Sequence, residues 1–498
     1  MRIVTVHDVF RSSVFDLPDP ESSIGPWFHE LIGPLLTRLG HEVHRFTLMR
    51  DGVPEALIDA ADRYQLRRDH TGWTWFFSDP DALDVTAEII APLFDYDLIV
   101  GFEINPNVVL ALSRAGKRFL DITQDPIRFC PDLFFRIRGN LPDIETKLSA
   151  WRVPDATVSA EAARLRAGIS SGYDGSPAVL FTGQVNIDSS LIANARLTRI
   201  TPFIDQIDQL RKGRTLLLKP HPMAPNSQDL LTLYDQFPDS RYITTNIYSL
   251  LAAPAIEQIV TLSSSTASEA VWFDKPALSL ITPDILAPPP SVVSPFHRVD
   301  ARLTSTAFWA GLLHDMPAFI FMEPPPKPLR QLFSPSWGYT RDMMTPVSKN
   351  VAINETISFA QGGRGAEIEL FGWSTPEDWG VWSDGPIAML QFILPDAATD
   401  PNQTLAVELT FGPFVPDAAH PLDVTIATRH GSKHLLFETD APVIMTLPVT
   451  SGVVELRFNV PDCQSPHALG MNPDTRLLGI GLQRLTPRVI RIPEETAG

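Results

Sequence analysis

The sequence predicts an α/β fold in which two lobes of Rossmann type are followed by a C-terminal all-β domain. Short runs rich in leucine or β-branched residues alternate with helical patterns over roughly the first 280 residues. After about residue 350 the chain changes to short apolar or alternating runs separated by turn residues, with little helical periodicity. The alternation of strand and helix implies right-handed crossovers and parallel sheets in the first part.

These changes in composition place three domains. We predict an N-terminal α/β lobe over 1–170 and a second α/β lobe over 177–345, the latter including a proline-rich return segment. The Gly/Ser-rich stretch ISSGYDGSP between them is typical of a linker. A β-sandwich is predicted over 350–498.

The totals exclude several classes of protein. A net charge of −18 over 498 residues argues against a nucleic-acid partner, which requires a basic surface. No apolar run reaches the roughly 20 residues of a membrane-spanning helix, and the N-terminus lacks the apolar core of a signal peptide. We therefore expect a cytoplasmic protein. Cys130 and Cys463 are too few for a disulfide framework or a zinc site.

The first lobe reads as strand and helix in turn. Gly40 ends the first predicted helix, and a later strand delivers Glu103 at its carboxyl end. An aromatic-rich stretch containing Arg128 follows the last strand. The predicted elements are, in order, the strand RIVTVHDVF, the helix SIGPWFHELIGPLLTRLG, the strands HEVHRFTL and YDLIVGFE, the helix NPNVVLALSRAG, the strand KRFLDITQ and the helix ATVSAEAARLRAG.

The second lobe contains three apolar runs that each open into a polar loop. The runs are AVLF, TLLL and IEQIVTL, separated by the helical patterns TPFIDQIDQL and DLLTLYDQF. Further along, HRVDARLTSTAFWAGLLHD reads as a helix. Because ligands bind beyond the carboxyl ends of parallel strands, we expect the three polar loops to meet in one crevice.

Two carboxylates are candidates for catalysis. Asp188 follows the first of these strands and could act as a nucleophile or base. It could equally cap the next segment, as Asp commonly does. Glu103 at its strand end could serve as a general acid or base, or could be an ordinary surface residue.

The other two loops suit an anion. His221 lies between two prolines in KPHP, which holds its imidazole in a rigid turn next to Lys219, although an ordinary turn would look the same. The run from Ser263 to Thr266 precedes a helix, where hydroxyls and amides can bind phosphate or simply cap the helix. Glu269 could complete a capping box or face the crevice and bind ribose hydroxyls.

No metal site is predicted. Two Asp-x-Asp triplets occur, at Asp79/Asp81 and Asp95/Asp97. The first lies in a turn-like SDPD, and the second precedes its strand and so lies at the wrong end for a site. We interpret both as loop residues.

These segments together resemble a known enzyme family. GQVNIDSS, KPHP with 33 positions from Asp188 to His221, and SSSTASEAVWFDKPAL are similar to motifs of the bacterial retaining β-Kdo glycosyltransferases of GT-B fold. VGFEINP and DPIRF also resemble motifs of their first lobe, so the resemblance covers roughly residues 95–280. The C-terminal domain is similar to β-rich modules appended to bacterial polysaccharide enzymes, through GWSTPEDWGVWSDG and SPHALGMNPDTRLLGIGL.

The resemblance implies transfer of Kdo from CMP-Kdo to a capsule or lipopolysaccharide O-antigen glycan, with retention by double displacement. The first lobe would take the acceptor and the second the nucleotide sugar. Asp188 would be the nucleophile and Glu103 the acid/base, while His221 and Lys219 would steady the phosphate or the sugar carboxylate. The implied donor-binding residues are Gln184, Arg128, Lys219, Ser263, Ser264, Ser265 and Glu269, the last through ribose.

The implied partners are a nucleotide sugar and a glycan acceptor that is lipid-linked, with no metal or other cofactor. The expected location is cytoplasmic, at the inner face of the inner membrane. Two alternatives stay open on the sequence. One is another GT-B enzyme of envelope-polymer synthesis with a different activated donor. The other is a non-catalytic polysaccharide-binding or export protein, in which the β-domain is the working part.

Overall fold

The computed structural model describes most of the chain. The described residues are 1–17, 24–47, 52–169, 171–221, 224, 227–286, 290–314, 329, 350–395, 403–417, 420–428 and 431–491. The predicted return segment at the end of the second lobe lies mostly outside them.

The chain separates into two compact units. The first contains Met1–Leu217 and Asn246–Thr345, and the second contains Leu218–Thr245 and Pro346–Gly498. The three-domain division made from the sequence stays a prediction.

Helices and short strands alternate up to about residue 313. The helices are α1 (Ile24–Arg38), α2 (Val53–Arg63), α3 (His70–Ser78), α4 (Leu83–Ile89), α5 (Pro106–Arg114), α6 (Ile144–Ser149), α7 (Asp155–Gly168), α8 (Ile204–Arg211), α9 (Gln228–Gln236), α10 (Ile247–Ala252), α11 (Ser265–Ala270) and α12 (Thr306–Leu313). The strands are β1 (Arg2–Val6), β2 (Glu42–Arg45), β3 (Leu98–Phe102), β4 (Phe119–Gln124), β5 (Phe135–Gly139), β6 (Ala178–Thr182), β7 (Ile192–Ala193), β8 (Arg196–Leu197), β9 (Thr215–Lys219), β10 (Arg241–Tyr242), β11 (Ile256–Thr261), β12 (Ala277–Ser279) and β13 (His297–Val299).

The first sheet of the first unit has the order β13-β5-β4-β3-β1-β2. Strands β1 to β4 pair in parallel, which confirms the predicted parallel core of the lobe. Strand β5 runs antiparallel to β4, and β13 runs antiparallel to β5. The sheet is therefore mixed, and the expectation of a purely parallel sheet is wrong at this edge.

Both faces of this sheet are buried. Successive side chains of a strand point to opposite faces, and β1 and β3 divide accordingly. Val4 of β1 and Ile99 of β3 belong to a core that contains buried residues of α2 to α5. Ile3 and Val100 belong to a second core with α1 and α12. Cover on both faces explains why these strands are continuous apolar runs.

The second sheet of the first unit positions the polar loops singled out in the sequence. Its strands β6, β11 and β12 lie in this order, and the pairs β6–β11 and β11–β12 are parallel. The carboxyl ends of β6 and β11 therefore lie at the same edge. Residues 183–190 and 263–265 follow these two ends.

The predicted helix HRVDARLTSTAFWAGLLHD is wrong in its first half. Residues His297–Val299 form β13, and only Thr306–Leu313 are α-helical. Ser305 starts that helix by accepting the Phe308 amide on its hydroxyl, at 3.2 Å. Tertiary contacts override the local pattern before it, since Arg298 forms an ion pair with the buried Asp125 at 3.0 Å.

The second unit contains two antiparallel sheets that share one hydrophobic core. Their orders are β14-β23-β18-β21, with β16 also paired to β23, and β15-β17-β22-β19-β20. This confirms the antiparallel C-terminal strands. The strands are β14 (Ile357–Ser358), β15 (Glu369–Phe371), β16 (Val381–Asp384), β17 (Ile387–Leu394), β18 (Gln403–Pro413), β19 (Leu422–Thr428), β20 (Gly431–Phe437), β21 (Val443–Val449), β22 (Gly452–Asn459) and β23 (Leu478–Arg491).

The segment 218–245 packs within the second unit through a buried polar cluster. The Tyr242 amide donates to Glu455 Oε1 at 2.8 Å, and Gln391 Nε2 donates to the same oxygen at 3.1 Å. Gln391 also donates to the Tyr242 carbonyl. Arg457 pairs with Asp235 of α9 at 2.5 Å. Because a buried carboxylate needs such donors, this cluster fixes the segment against β17 and β22.

No helix among the described residues is long and apolar enough to cross a membrane.

Candidate active site

Glu103 directly follows β3 in an unusual backbone conformation. Its φ is +53°, in the left-handed region that costs a residue with a side chain roughly 1–2 kcal/mol. Its amide donates to the Ile122 carbonyl at 2.8 Å, and its Oε1 accepts from the Thr123 hydroxyl at 3.1 Å. The two neighbouring strands thus hold this half-buried carboxylate at their carboxyl ends. Backbone strain of this kind concentrates at functional sites.

The pKa of Glu103 is raised to about 7. Burial is the main cause, and the negative charge of Asp188 is the second. The Thr123 hydroxyl and the Arg128 cation act in the opposite direction. A carboxyl group that titrates near neutral pH can both give and take a proton, as an acid/base catalyst must.

Asp188 lies in the loop after β6, close enough to Glu103 for its charge to act on that carboxyl. Its Oδ1 accepts the Ser190 amide at 2.8 Å and so caps the short 3-10 helix Ser189–Leu191. The capping role that we considered from the sequence is therefore present. It occupies one carboxylate oxygen and is compatible with chemistry at the other, since a carboxylate has two acceptor atoms.

A side-chain network ties the Asp188 loop to the end of β11. Gln184 Nε2 donates to Ser190 Oγ at 3.1 Å and to Ser263 Oγ at 3.0 Å, and Gln184 Oε1 accepts the Ser263 amide at 2.8 Å. The Ser263 hydroxyl also donates to the Ser190 carbonyl at 2.5 Å. We predicted Gln184 and Ser263 as donor-binding residues. The structure places them next to each other, where their hydrogen bonds fix the loop that carries Asp188.

Ser264 caps α11, because its hydroxyl accepts the Thr266 amide at 3.3 Å. Ser265 is the first residue of that helix. Glu269 does not complete a capping box. It is 3% exposed, and its Oε1 accepts the Arg128 amide at 2.8 Å and the Tyr248 hydroxyl at 3.1 Å. Burial raises its pKa to about 7.

Arg128 connects the two carboxylates electrostatically. Its cation lowers the pKa of Glu103, and both its amide and its cation lower the pKa of Glu269. Its cation therefore lies close enough to act on Glu103, and its amide contacts Glu269 of α11.

Lys219 and His221 belong to the second unit. Lys219 Nζ donates to the Thr244 carbonyl at 3.4 Å, and the His221 carbonyl accepts the Ala224 amide at 3.0 Å. Both side chains are half-buried. The catalytic role expected of His221 and the donor-binding role expected of Lys219 stay predictions.

Among the described residues, no group of His, Cys, Asp or Glu side chains could hold a metal ion. The two Asp-x-Asp triplets have local roles. The Asp79 side chain accepts the Asp81 amide at 3.0 Å, and Asp97 Oδ2 accepts the Arg2 amide at 2.7 Å.

The sequence argument missed three residues of this site. Thr123 holds Glu103, Tyr248 holds Glu269, and Asp121 adds a negative charge that raises the pKa of Glu103. The rule that selected Glu103 could also have selected Thr123, since Thr123 lies near the carboxyl end of the neighbouring strand. Nothing in the local pattern marks Tyr248.

The comparisons with known proteins cover different parts of the chain. Residues 348–488 match the model of a domain of unknown function, DUF7024. No curated protein gives a significant sequence match.

Several solved structures are similar to the chain at low identity. KpsC of Thermosulfurimonas dismutans, a beta Kdo 2,7 transferase, is 12% identical with a TM-score of 0.31, over 63% of this chain and 90% of that one. UDP-GlcNAc 2-epimerase of Neisseria meningitidis is 12% identical with a TM-score of 0.18, over 56% and 82%. A family 35 carbohydrate binding module from an environmental isolate is 11% identical with a TM-score of 0.15, over 29% and 89%. TM-scores of this size do not define a function, which must be argued from the residues.

Proposed function

We propose that this chain is a retaining glycosyltransferase of GT-B type that transfers Kdo from CMP-Kdo to a bacterial surface glycan. The observation that carries the proposal is the pairing of two carboxylates. Asp188 follows β6, while Glu103 follows β3 and has a pKa of about 7 that Asp188 helps to raise. Two neighbouring carboxyl groups, one of which titrates near neutrality, are the arrangement that double displacement needs.

In the first step, a carboxylate oxygen of Asp188 attacks the anomeric carbon of Kdo. The bond from that carbon to the phosphate oxygen breaks, CMP leaves with the electron pair, and a glycosyl ester forms on Asp188. In the second step, the acceptor hydroxyl oxygen attacks the same carbon, ionised Glu103 takes the hydroxyl proton, and the Asp188 carboxylate is released. Two inversions at one carbon give net retention.

The segment from Ser263 to Ser265 would hold the donor phosphate. The hydroxyls and amides of Ser263 and Ser264 already make hydrogen bonds within the protein. The phosphate contact would therefore fall mainly to Ser265, the first residue of α11. Arg128 would supply the positive charge, and Glu269 would help through the loop that it fixes. These roles rest on the resemblance stated for the sequence and on the positions of the residues.

Nucleotide binding tests the donor. CMP at about 100 times its dissociation constant should stabilise the protein by about 2.7 kcal/mol, with or without magnesium. Thermal shift measurements with CMP, UDP and CDP-glycerol compare the alternatives directly. A clear shift with UDP or CDP-glycerol and none with CMP would reject the Kdo donor. Glycan binding without any nucleotide effect would favour a non-catalytic role.

Mass spectrometry tests the nucleophile. Wild-type protein incubated with CMP-Kdo alone should gain the mass of one Kdo residue, and Asp188→Ala should gain none while still binding CMP. Transfer by Asp188→Ala should fall by several orders of magnitude, since the covalent step is lost. A variant that transfers at the wild-type rate would leave Asp188 with the capping role alone.

A further inference from the structure

A pocket of about 440 Å³ lies in the first unit, next to the helix that follows Glu103. Ligand pockets in proteins commonly have about 300–1,000 Å³. Neither Glu103 nor Asp188 lines it. Its walls come from residues 78–80, the first turns of α5, the 194–195 turn, residues 284–285 and Pro290, together with Arg138 of β5.

The pocket contains a buried acceptor without a donor. Asn107 lines it and is 1% exposed. Its Nδ2 donates to the carbonyls of Phe76 at 3.1 Å and Asp79 at 2.8 Å, and these two bonds fix which end of the amide is the oxygen. Oδ1 has no hydrogen-bond partner among the described residues. Buried acceptors in proteins are almost always satisfied, and a ligand hydroxyl could donate to this one.

In another wall of the pocket, a carboxylate binds the backbone of a tight turn. Asn194 and Ala195 form the two-residue turn between β7 and β8 with φ values of +53° and +58°. Their amides donate to Asp284 at 3.0 and 2.9 Å, and the Ser78 hydroxyl donates to it at 2.5 Å. With about four acceptor positions on a carboxylate, Asp284 retains capacity for one further donor.

The charges of the lining favour a neutral ligand. Arg138 is 4% exposed, and its Nε donates to Asp121 at 2.9 Å, so the neighbouring carboxylate offsets its charge. Asp79 and Asp284 also line the pocket. An anion there would face two carboxylates and one neutralised guanidinium. Hydroxyl groups, in contrast, can donate to Asn107 and Asp284 and accept from Arg138.

The rest of the lining is apolar. Pro80, Pro106, Leu110, Ile285 and Pro290 provide aliphatic surface beside these polar groups. A sugar ring combines hydroxyls at its rim with an apolar C–H face, and it fits this mixture of a few placed polar groups and apolar walls.

We infer that this pocket binds one neutral sugar unit of the acceptor glycan, a step that rests on the proposed transferase function. Asn107 is four residues after Glu103, and four extended residues span at most about 14 Å. The backbone of Asn107 therefore lies within about 14 Å of the backbone of Glu103, and the pocket lies in the neighbourhood of that carboxylate. The pocket recognises the acceptor glycan through a sugar unit other than the one whose hydroxyl reacts.

Filling the pocket from two walls tests the inference. Leu110→Trp and Ile285→Trp each add bulk at a half-buried lining position. Arg114→Trp is the matched control, since Arg114 is on the same helix, has a side chain 67% exposed and does not line the pocket. The probes are methyl α-glycosides of glucose, galactose and rhamnose, with methyl α-galacturonate as the charged arm, and the measurement is saturation-transfer NMR on the full chain.

We expect saturation transfer to at least one neutral glycoside with wild type and Arg114→Trp, at least a fivefold loss with both pocket variants, and a weaker signal for the galacturonate. Absence of transfer to every neutral glycoside on the wild type overturns the inference, and this comparison needs no variant to fold. An unchanged signal in the folded pocket variants, or a stronger signal for the galacturonate, overturns it as well.

Measurements of CMP binding and of the Kdo adduct distinguish a failure of this inference from a failure of the proposed function. The pocket variants should bind CMP and form the Kdo adduct like wild type, but should lose transfer to acceptor at least tenfold. If the neutral glycoside binds and the variants abolish its binding, but no nucleotide binds, the sugar pocket stands and the transferase proposal falls. If CMP and the adduct behave as proposed and no glycoside binds, the pocket inference alone falls.

Discussion

Glu103 and Glu269 are two glutamates of the first unit whose pKa is raised to the same value in different surroundings. Burial raises the pKa of each to about 7. Glu269 is 3% exposed and accepts hydrogen bonds from the Arg128 amide, the Tyr248 hydroxyl and the Phe129 amide. Glu103 is half-buried and has the charge of Asp188 acting on it, with the Thr123 hydroxyl as a donor.

The contrast shows that a raised pKa does not by itself identify a catalytic carboxyl group. Both groups are desolvated, but the donors around Glu269 come from two parts of the chain, and they fix the Arg128 loop against α11. Glu103 combines a strained backbone, a neighbouring carboxylate and partial exposure. We therefore assign proton transfer to Glu103 and a structural role to Glu269.

The largest expected effect distinguishes Glu103 from Glu269 by the rate of transfer. Glu103→Gln keeps an acceptor for the Thr123 hydroxyl but cannot take a proton, so transfer should fall about 10²–10⁴-fold. The wild-type rate should rise with pH through about 7, as Glu103 ionises, and the variant should lose this rise. Steady-state transfer measured from pH 5 to about 9 checks both points.

Glu269→Gln is the matched variant for that experiment. It should retain most of the activity and the rise near pH 7. If Glu269→Gln loses as much transfer as Glu103→Gln and binds CMP normally, the division of roles between the two glutamates is wrong.

The second expected effect concerns how the two glutamates change the stability of the folded protein with pH. A carboxyl group whose pKa is raised from 4.5 to about 7 on folding keeps its proton in the folded state when the unfolded state has lost it. Stability is then highest below about pH 4.5 and falls as pH rises to about 7, by about 3 kcal/mol for a fully buried group. Glu269→Gln removes this contribution, so the variant should gain stability relative to wild type across that window.

Urea unfolding at several pH values measures the difference directly. Curves for wild type and Glu269→Gln that stay parallel between pH 4.5 and about 7 would mean that Glu269 is not protonated in the folded protein. Glu103→Gln should change the same slope by a similar amount, because the pKa of Glu103 is raised to the same value.

The sequence predicted one member of this pair well and the other badly. Glu103 and Asp188 follow buried strands, and the rule that ligands bind at the carboxyl ends of parallel strands selected both. Glu269 was interpreted locally, as a capping-box residue or a ribose ligand. Its partner Arg128 is 141 positions away in the chain, and no periodicity reports such a contact.

The same limit applies to the fold. Apolar runs predicted most strands of both units, because burial of one or both faces leaves a pattern in the sequence. Strand β13 was missed, since its three residues are fixed by pairing with β5 and by the Arg298–Asp125 ion pair rather than by their own apolarity. The pocket beside α5 was also missed, because it is assembled from six separate stretches of the first unit.

The smallest expected effect comes from removing a single hydroxyl donor beside each of the two glutamates. Thr123→Val removes the donor that stabilises ionised Glu103, while keeping the shape of the side chain, so the pKa of Glu103 should rise further. The midpoint of the rise in transfer rate should move to higher pH by up to about one unit, and the rate above that midpoint should be nearly unchanged.

Tyr248→Phe is the matched variant, since it removes one hydroxyl donor from Glu269 in the same way. It should lower the free energy of unfolding at high pH by about 0.5–1.5 kcal/mol and leave the midpoint of the rate profile in place. The pH profiles of transfer for the two variants decide between the glutamates without removing either of them. A midpoint that moves in Tyr248→Phe and stays fixed in Thr123→Val would assign the proton transfer to Glu269 instead of Glu103.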